Sequence, residues 1–248
     1  MTAERYVVYI DIMGFKHMVA TRSAESIYAM MKEVNQSRDK SSTFGFMIGS
    51  EMRYLVNSTT YSDSIILYSR DGSKDSLKAI SLAVALLTAE LFSKKVPHKG
   101  AMAFGSMTLD AENSIFFGQP LIDAYLLQEE LNFYGIVVHH SAENTILLED
   151  YFLSCFTQFD CPLKNGVVNH KAIYPMLMDY KLKTEFSKEQ QAVTDGLNAL
   201  RFTVSGHLRK YVENTQKYFS HVIEETRNRK VMSDNARLRS ESSTSDKP

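Results

Sequence analysis

Two aspartates stand where they can do chemistry together. Asp11 falls at the end of a strand-forming run, RYVVYIDI (5–12). Asp63 lies between two further runs, MRYLVNSTTY (52–61) and SIILYS (64–69). The first run is rich in Val, Ile and Tyr and predicts a strand buried on both faces. The other two predict a β-hairpin with Ser62 and Asp63 at its tip. In a βαββαβ sheet these two strand ends lie side by side. Two carboxylates brought together there repel each other unless something positive sits between them. Hard divalent cations meet that need, and Mg²⁺ held by one or two carboxylates plus substrate phosphates is the usual arrangement. Met13, Gly14 and Phe15 follow Asp11 and turn the chain from strand to helix. Backbone N–H groups in such a turn can hold a phosphate, and Gly14 allows its close approach. Each Asp taken alone has an ordinary role as a helix cap or turn residue. The pair, with the Gly turn after the first, points to metal and phosphate chemistry.

The elements that must position these residues follow from periodicity. SAESIYAMMKEVNQS predicts a helix from the N-cap Ser23, with Glu25 in its first turn. DSLKAISLAVALLTAELFSKK (75–95) predicts a long helix with a wide apolar face. KGAMAFGSMTL (99–109) is a strand with small residues at alternate positions, so something packs close to it. A short strand (114–118), a helix (119–132) that tolerates Pro120 in its first turn, a strand (134–141) and a helix (141–152) come next. Residues 153–182 predict another hairpin, turning near Lys164-Asn165-Gly166. The expected fold is α+β: a ferredoxin-like βαββαβ core, one mostly antiparallel sheet, with helices on one face. The expected organisation is a catalytic domain over 1–182, a helical extension over 183–230 and a disordered polar tail over 231–248.

Composition narrows the classes of partner. The 248 residues carry 29 acidic and 28 basic side chains, which gives no electrostatic reason to expect nucleic acid or an anionic membrane. Cys155 and Cys161 are too few for a disulfide scaffold and have no metal-binding neighbours in sequence, so they read as two reduced thiols. No signal peptide is legible, and the most apolar stretch (79–92) is short for a membrane span and carries Glu90. The expectation is a soluble, cytoplasmic protein.

Four segments carry a family resemblance. YIDIMGFK resembles the F-x-D-I-x-G-F-T segment of class III nucleotide cyclases, and TTYSDSIILYS resembles their second metal segment. KGAMAFG resembles their R-x-G-I-x-x-G strand, and FFGQPLIDAYLLQEE resembles their W-G-x-x-V-N-x-A-x-R-x-E helix. The match covers about residues 5–140. It implies conversion of a nucleoside triphosphate into a 3′,5′-cyclic monophosphate and pyrophosphate by a head-to-tail homodimer with sites at the interface. It also implies two divalent metal ions, Mg²⁺ or Mn²⁺, held by Asp11, Asp63 and the Ile12 carbonyl. Met13, Gly14 and Phe15 would hold the terminal phosphates. Lys99 falls where the family has a phosphate-binding Arg, keeping the charge and losing the bidentate fork. Lys16, where many members have Thr, reads as a solvated helix-start residue or a phosphate contact.

The departures bear on substrate. Thr59 stands where adenylyl cyclases place the Lys that reads adenine, and Ile115 stands at their second base-reading position. Asp123 replaces the ribose-binding Asn if one residue is inserted, and no transition-state Arg follows. This pattern resembles the bacterial pyrimidine cyclases of the Pycsar anti-phage systems. That implies UTP or CTP as substrate and a separate effector activated by the cyclic product rather than by direct binding. Tyr54 is the candidate for filling the smaller base pocket, with Arg53 and Asn57 as alternatives, and each is also an ordinary strand residue. His139 and His140, at a strand end, read as structural. The methionines at 30, 31, 102, 107, 176 and 178 read as core filler or dimer surface. Two rival readings are another palm-type enzyme, although the G-G-D-E-F signature of diguanylate cyclases is missing, and a degenerate cyclase domain kept for dimerisation or nucleotide sensing.

Overall fold

The computed structural model describes residues 2–43, 46–48, 51–53, 55–110, 112–146, 155–175 and 186–244, with 46–48, 51–53, 186–190 and 226–244 described by backbone alone. The elements run β1 (Thr2–Ile12), α1 (Phe15–Thr21), α2 (Ala24–Ser42), β2 (Phe46–Ile48), β3 (Glu51–Arg53), β4 (Val56–Tyr61), β5 (Ser64–Ser69), α3 (Lys74–Ser93), β6 (His98–Asp110), β7 (Ile115–Gly118), α4 (Gln119–Glu130), β8 (Gly135–Val138), α5 (His140–Glu143), β9 (Phe156–Leu163), β10 (Gly166–Ile173), α6 (Phe186–Arg201) and α7 (His207–Thr244).

Eight strands form one sheet in the order β4-β5-β1-β6-β8-β10-β9, with β7 on the edge of β6, while β2 and β3 pair separately. β1 lies between β5 and β6, antiparallel to both, and β4 pairs antiparallel with β5. The path β1-α2-β4-β5-α3-β6 is therefore a ferredoxin-like βαββαβ unit, and the fold is α+β with a mostly antiparallel sheet. β8 joins parallel to β6 after the β7-α4 crossover, and the β9-β10 hairpin extends the sheet beyond it.

Local chemistry explains the ends of these elements. Ser23 and Ser73 cap α2 and α3 by accepting the N–H groups of Ser26 and Ser76. The β4-β5 loop is two residues long, closed by the Tyr61–Ser64 pair. Ser62 takes a left-handed φ of 55° at its first position, as tight hairpin loops often require.

Side-chain alternation divides the core between the two faces of the sheet. Tyr6, Val8, Ile10 and Ile12 of β1 and Met102 of β6 pack with α3 and Val34 of α2. Ala101 and Ala103 of β6 and Val137 of β8 face the other way, toward Ala124 of α4, Val193 and Leu197 of α6, and Tyr211, Val212 and Tyr218 of α7. α3 is the one described helix long and apolar enough to cross a membrane, and 67% of that stretch is buried inside the protein. Its apolar length is that of a core helix, each fully buried Leu or Ile contributing about 1.5–3 kcal/mol. Neither Cys155 nor Cys161 is in a disulfide and both are buried, and burial pushes the Cys161 thiol up to about 12.

Four expectations need correction. Helices cover both faces of the sheet, not one. The segment expected to be a helical extension is helical but packs into the domain's second core: Tyr134 N–H donates to Thr215 Oγ1 at 2.7 Å, and Tyr218 Oη donates to the Ile173 carbonyl at 2.9 Å. α7 remains helical to Thr244, through most of the stretch expected to be disordered. Its Lys230, Met232, Ala236 and Leu238 are good helix formers that offset the serines. Finally, the described helix after β8 is α5, four residues long. The remainder of the helix expected over 141–152 falls partly outside the described residues, as do Met176 and Met178.

Candidate active site at the end of β1

β1 delivers Asp11 between two neighbours, Ser64 across the β5 ladder and Lys99 across the β6 ladder. Ile10 and Ile12 belong to the α3-facing core, so alternation puts Asp11 on the opposite face with Tyr9, Ser64 and Lys99. The hairpin tip is tied to the same strand end. Ile12 N–H donates to the Asp63 carbonyl at 2.9 Å, and the Tyr9 hydroxyl hydrogen-bonds Ser64 Oγ, next in chain to Asp63. The expected meeting of the two aspartates is therefore present. Its electrostatic signature is on Asp11, whose carboxyl is pushed up to about 6 by burial and then by the charge of Asp63. Lys99 opposes that rise and Glu129 adds to it. Burial also raises the Tyr9 hydroxyl, with Asp11 and Asp63 both contributing.

Lys99 is 4% exposed. Its ammonium donates to the Glu129 backbone carbonyl at 3.3 Å, at the end of α4. Burial lowers its pKa, while Glu129 and Asp11 hold the proton on. The side chain is thus a buried counter-charge to Asp11 as well as a clamp between β6 and α4.

The glycine turn differs in detail from expectation. Met13 N–H is occupied by the Pro97 carbonyl at 2.8 Å, which removes it from the phosphate-binding set. The N–H groups of Gly14 and Phe15 precede the first helical bond, from Met18 N–H to the Gly14 carbonyl at 3.0 Å. Gly14 has φ 77°, and a Cβ there would meet nothing within 4 Å. Its glycine is needed for the left-handed backbone, and the space beside it is open.

The remaining candidates divide. Ile12 is 1% exposed with its side chain in the core, so only its backbone faces the site. Thr59 pairs with Ile66, which pairs with Tyr9, so Thr59 shares the Asp11 face two strands away. Asn57 lies on that face too, further from the tip. Ile115, on β7, is 47% exposed. Tyr54 lies outside the described residues, and Arg53 is described by backbone alone. Asp123 is not brought to Asp11. It accepts from Gln119 Nε2 at 2.8 Å and lies 3.9 Å from His139 Nδ1. His139 N–H donates to the Met102 carbonyl, and Met102 pairs with Val8, three residues before Asp11. At about 3.3 Å per residue, that level of the sheet is about 10 Å from Asp11. His139 also caps α5 by accepting Ser141 N–H, a structural task in line with expectation.

Sequence reasoning missed Tyr9, Ser64 and Glu129. Tyr9, two residues before Asp11, was reachable by strand alternation, and Ser64 by adjacency to Asp63. Glu129 contributes a carbonyl and a charge from 30 residues beyond Lys99, for which no local signal exists.

Among the described residues, no group of three or more His, Cys, Asp and Glu side chains gathers as a metal site. Asp11 and Asp63, the first already strained by the charge of the second, are the carboxylates at this point. Such a set fits a hard divalent cation whose shell is completed by phosphate oxygens and water.

No family profile matches the chain, and no curated protein matches it. Chains of solved structures do match, 46 in number. One is an adenylate cyclase from Trypanosoma brucei, described in its monomeric state, 9% identical over 69% of this chain and 89% of its own, with a TM-score of 0.40. Another is a class III adenylyl cyclase-like ATP-binding protein from Pseudomonas aeruginosa, 14% identical over 79% of this chain and 40% of its own, with a TM-score of 0.42.

Proposed function

We propose that the protein is a class III-type nucleotide cyclase that converts UTP or CTP into the 3′,5′-cyclic monophosphate and pyrophosphate. The observation that carries this reading is the convergence of Asp11 and Asp63 at one strand end, with Asp11 pushed up to about 6 by burial and by Asp63. Such a pair is costly to the fold and is relieved by a cation. Two divalent ions, when bound, supply activation of the ribose 3′-hydroxyl and stabilisation of the leaving pyrophosphate. Asp11, Asp63 and the Ile12 carbonyl would hold them. Lys99 favours the ionised form of Asp11 that this task requires. The N–H groups of Gly14 and Phe15 are available to the terminal phosphates, and Met13 contributes only its place in the turn. The Tyr9–Ser64 hydrogen bond holds the hairpin tip against β1 and so fixes the spacing of the two carboxylates. Positioning and charge stabilisation carry the reaction, and no side-chain nucleophile is needed.

The pyrimidine assignment rests on the departures in sequence: Thr59 in place of a base-reading Lys, and an apolar Ile115. Tyr54 remains the proposed filler of the base pocket.

The working unit is a homodimer. Asp123 stands apart from Asp11 within one chain, so the site is incomplete until a second copy presents Asp123 from its own α4. The exposed apolar side chains Ile122, Tyr125 and Leu126 of α4 and Phe117 of β7 give that copy a surface to cover. The cyclic product would act on a separate effector in a cytoplasmic anti-phage response.

A degenerate, non-catalytic module is the second reading, favoured by the absence of Arg on α4, where Leu127 stands one turn after Asp123. Pyrophosphate release from each nucleoside triphosphate with Mn²⁺ separates the two. Stoichiometric pyrophosphate with a cyclic product supports the enzyme, and binding without release supports the module.

A further inference from the structure

We propose that Asn132 is a positioning residue of the active site: by anchoring the end of α4 it makes the Glu129 carbonyl hold the Lys99 ammonium off Asp11, so that this carboxylate stays free for a divalent cation. The inference rests on the two-aspartate metal site of the cyclase reading above. It goes beyond that reading in giving a task to the connection between α4 and β8.

Lys99 faces two acceptors. Asp11 is its partner across the β1-β6 ladder, and the charges of Glu129 and Asp11 both act on it. The ammonium donates to the Glu129 carbonyl at 3.3 Å, and among the described residues it makes no ion pair with Asp11. An ammonium paired with Asp11 would occupy the oxygens that a cation needs. The place where α4 ends therefore decides which acceptor the lysine takes. The last carbonyls of a helix have no partner within it. α4 has no glycine cap, and Leu131 follows in extended backbone, with φ −70° and ψ 134°. The carbonyls are met from outside, Glu129 by Lys99 and Glu130 by Lys164 N–H at 2.8 Å. The negative end of the helix dipole adds to the pull on Lys99. The Glu129 carboxylate is turned to other partners, Gln128 Nε2 at 3.1 Å and Lys164 Nζ at 3.6 Å, which leaves its carbonyl to Lys99.

Asn132 ties this helix end to two other elements. Its N–H donates to the Pro162 carbonyl at 2.9 Å and its Nδ2 to the Leu163 carbonyl at 2.9 Å, both on β9. Its own carbonyl accepts Asn214 Nδ2 of α7 at 2.9 Å, and both asparagines are buried. α7 holds the same connection again at Tyr134, whose N–H goes to Thr215 Oγ1 at 2.7 Å and whose ring stacks on Tyr211 at 5.6 Å. Asn132 Oδ1 is buried with no hydrogen-bond partner among the described residues. Such an orphan is costly, so packing alone would favour another side chain, and the donor end of the amide is what the position keeps.

The test uses the full chain and Asn132→Leu, which nearly keeps the volume and removes the amide donor. Mn²⁺ alone is the probe. Its dissociation constant is read from the rise in unfolding midpoint with Mn²⁺ concentration, counting only the part of the rise that Asp11→Ala abolishes. Wild type, Asn132→Leu, Lys99→Met and the double variant are compared. Asn132→Leu should bind Mn²⁺ about tenfold more weakly, because the freed ammonium pairs with Asp11. Lys99→Met should bind at least as tightly as wild type, and adding Asn132→Leu to it should change nothing, since no ammonium is left to release. A merely structural role would lower the metal-free midpoints and leave the Mn²⁺ constants alone. Unchanged Mn²⁺ binding in Asn132→Leu, or equal weakening with and without Lys99, would overturn the inference and leave the cyclase reading standing. If Asn132→Leu does not fold, Asn214→Leu decides, because it removes only the bond from α7. It should weaken Mn²⁺ binding when Lys99 is present and not when it is Met, and any other pattern would overturn the inference. A wild type without an Asp11-dependent rise would overturn it as well, whereas absence of cyclic product with every nucleotide would overturn the cyclase reading.

Discussion

Asp11 lies directly across the β1-β6 ladder from Lys99, and the ammonium of that lysine is buried and donates to the Glu129 carbonyl. A carboxylate that needs a cation thus has a fixed one beside it before any metal arrives. The lysine keeps Asp11 from rising further, and the charge of Asp63 keeps the pair unsatisfied.

One consequence is a stability that depends on pH in the metal-free protein. The carboxyl of Asp11 is raised from 3.8 to about 6. The folded protein therefore binds more protons than the unfolded chain between about pH 4 and 6, and stability falls as pH rises through that window. The full shift corresponds to about 3 kcal/mol, which partial exposure and screening reduce to about 1–2 kcal/mol. Asp11→Asn should melt with wild type near pH 4 and about 3–6 °C above it at pH 7 in chelator. Equal midpoints across the range would contradict the strain on Asp11.

His98 should act in the opposite direction. It is fully buried against Phe92, its Nδ1–H donates to the Val96 carbonyl at 2.8 Å, and burial lowers it from 6.5 to about 4. The unfolded chain takes up the proton first, so stability is lost as pH falls from 6.5 toward 4. This term is about 3 kcal/mol at most and overlaps that of Asp11. It is best read in the Asp11→Asn background, where thermal melts should show the acid loss, and addition of His98→Leu should flatten it. A loss of equal slope in both proteins would show that other groups set the acid limit.

Ser62 holds a left-handed backbone at the hairpin tip that carries Asp63. Replacing it with Gly removes a strain of about 1–2 kcal/mol at some entropic cost. Ser62→Gly should melt at or slightly above the wild-type temperature with turnover preserved. Clear destabilisation in a melting scan would mean that the Ser62 side chain has a task of its own.

The C-terminal helices can be tested at Gly196. A Cβ there would meet the Phe92 carbonyl oxygen at 2.0 Å, so α6 lies directly on α3 at this point. Gly196→Ala should cost about 1–3 kcal/mol, as overpacking does. An unchanged unfolding midpoint would show that α6 docks loosely on α3.

The sequence made legible what local chemistry controls. The β-branched runs of β1 and β5, the Ser23 cap of α2 and a tight hairpin with Asp63 at its tip all follow from short-range rules, and the βαββαβ order supplied the β1-β5 pairing that brings the two aspartates together. Long-range pairing lay beyond those rules. Nothing near Lys99 reveals that its partner is a main-chain carbonyl 30 residues away, or that Met13 N–H is already taken by Pro97. The helices after Phe186 were read as an appendage because their charged faces dominate the pattern. The tyrosines and valines that fill the second face are spaced among them and gain meaning only once Phe133 and Tyr134 are in place. β3 and β4 read as a single strand-like run, because no turn signal stands out between Arg53 and Val56, and β2 has too few residues to show a pattern of its own.

The most direct measurement is incubation of the purified chain with ATP, GTP, CTP and UTP, each with Mn²⁺ or Mg²⁺, followed by mass identification of products in wild type, Asp11→Ala and Asp63→Ala. The expected result is one cyclic pyrimidine monophosphate with equimolar pyrophosphate, falling to background in both variants while their folds persist. A cyclic purine as the main product would contradict the substrate assignment. Substantial cyclase turnover in either variant would contradict the two-aspartate site on which the account rests.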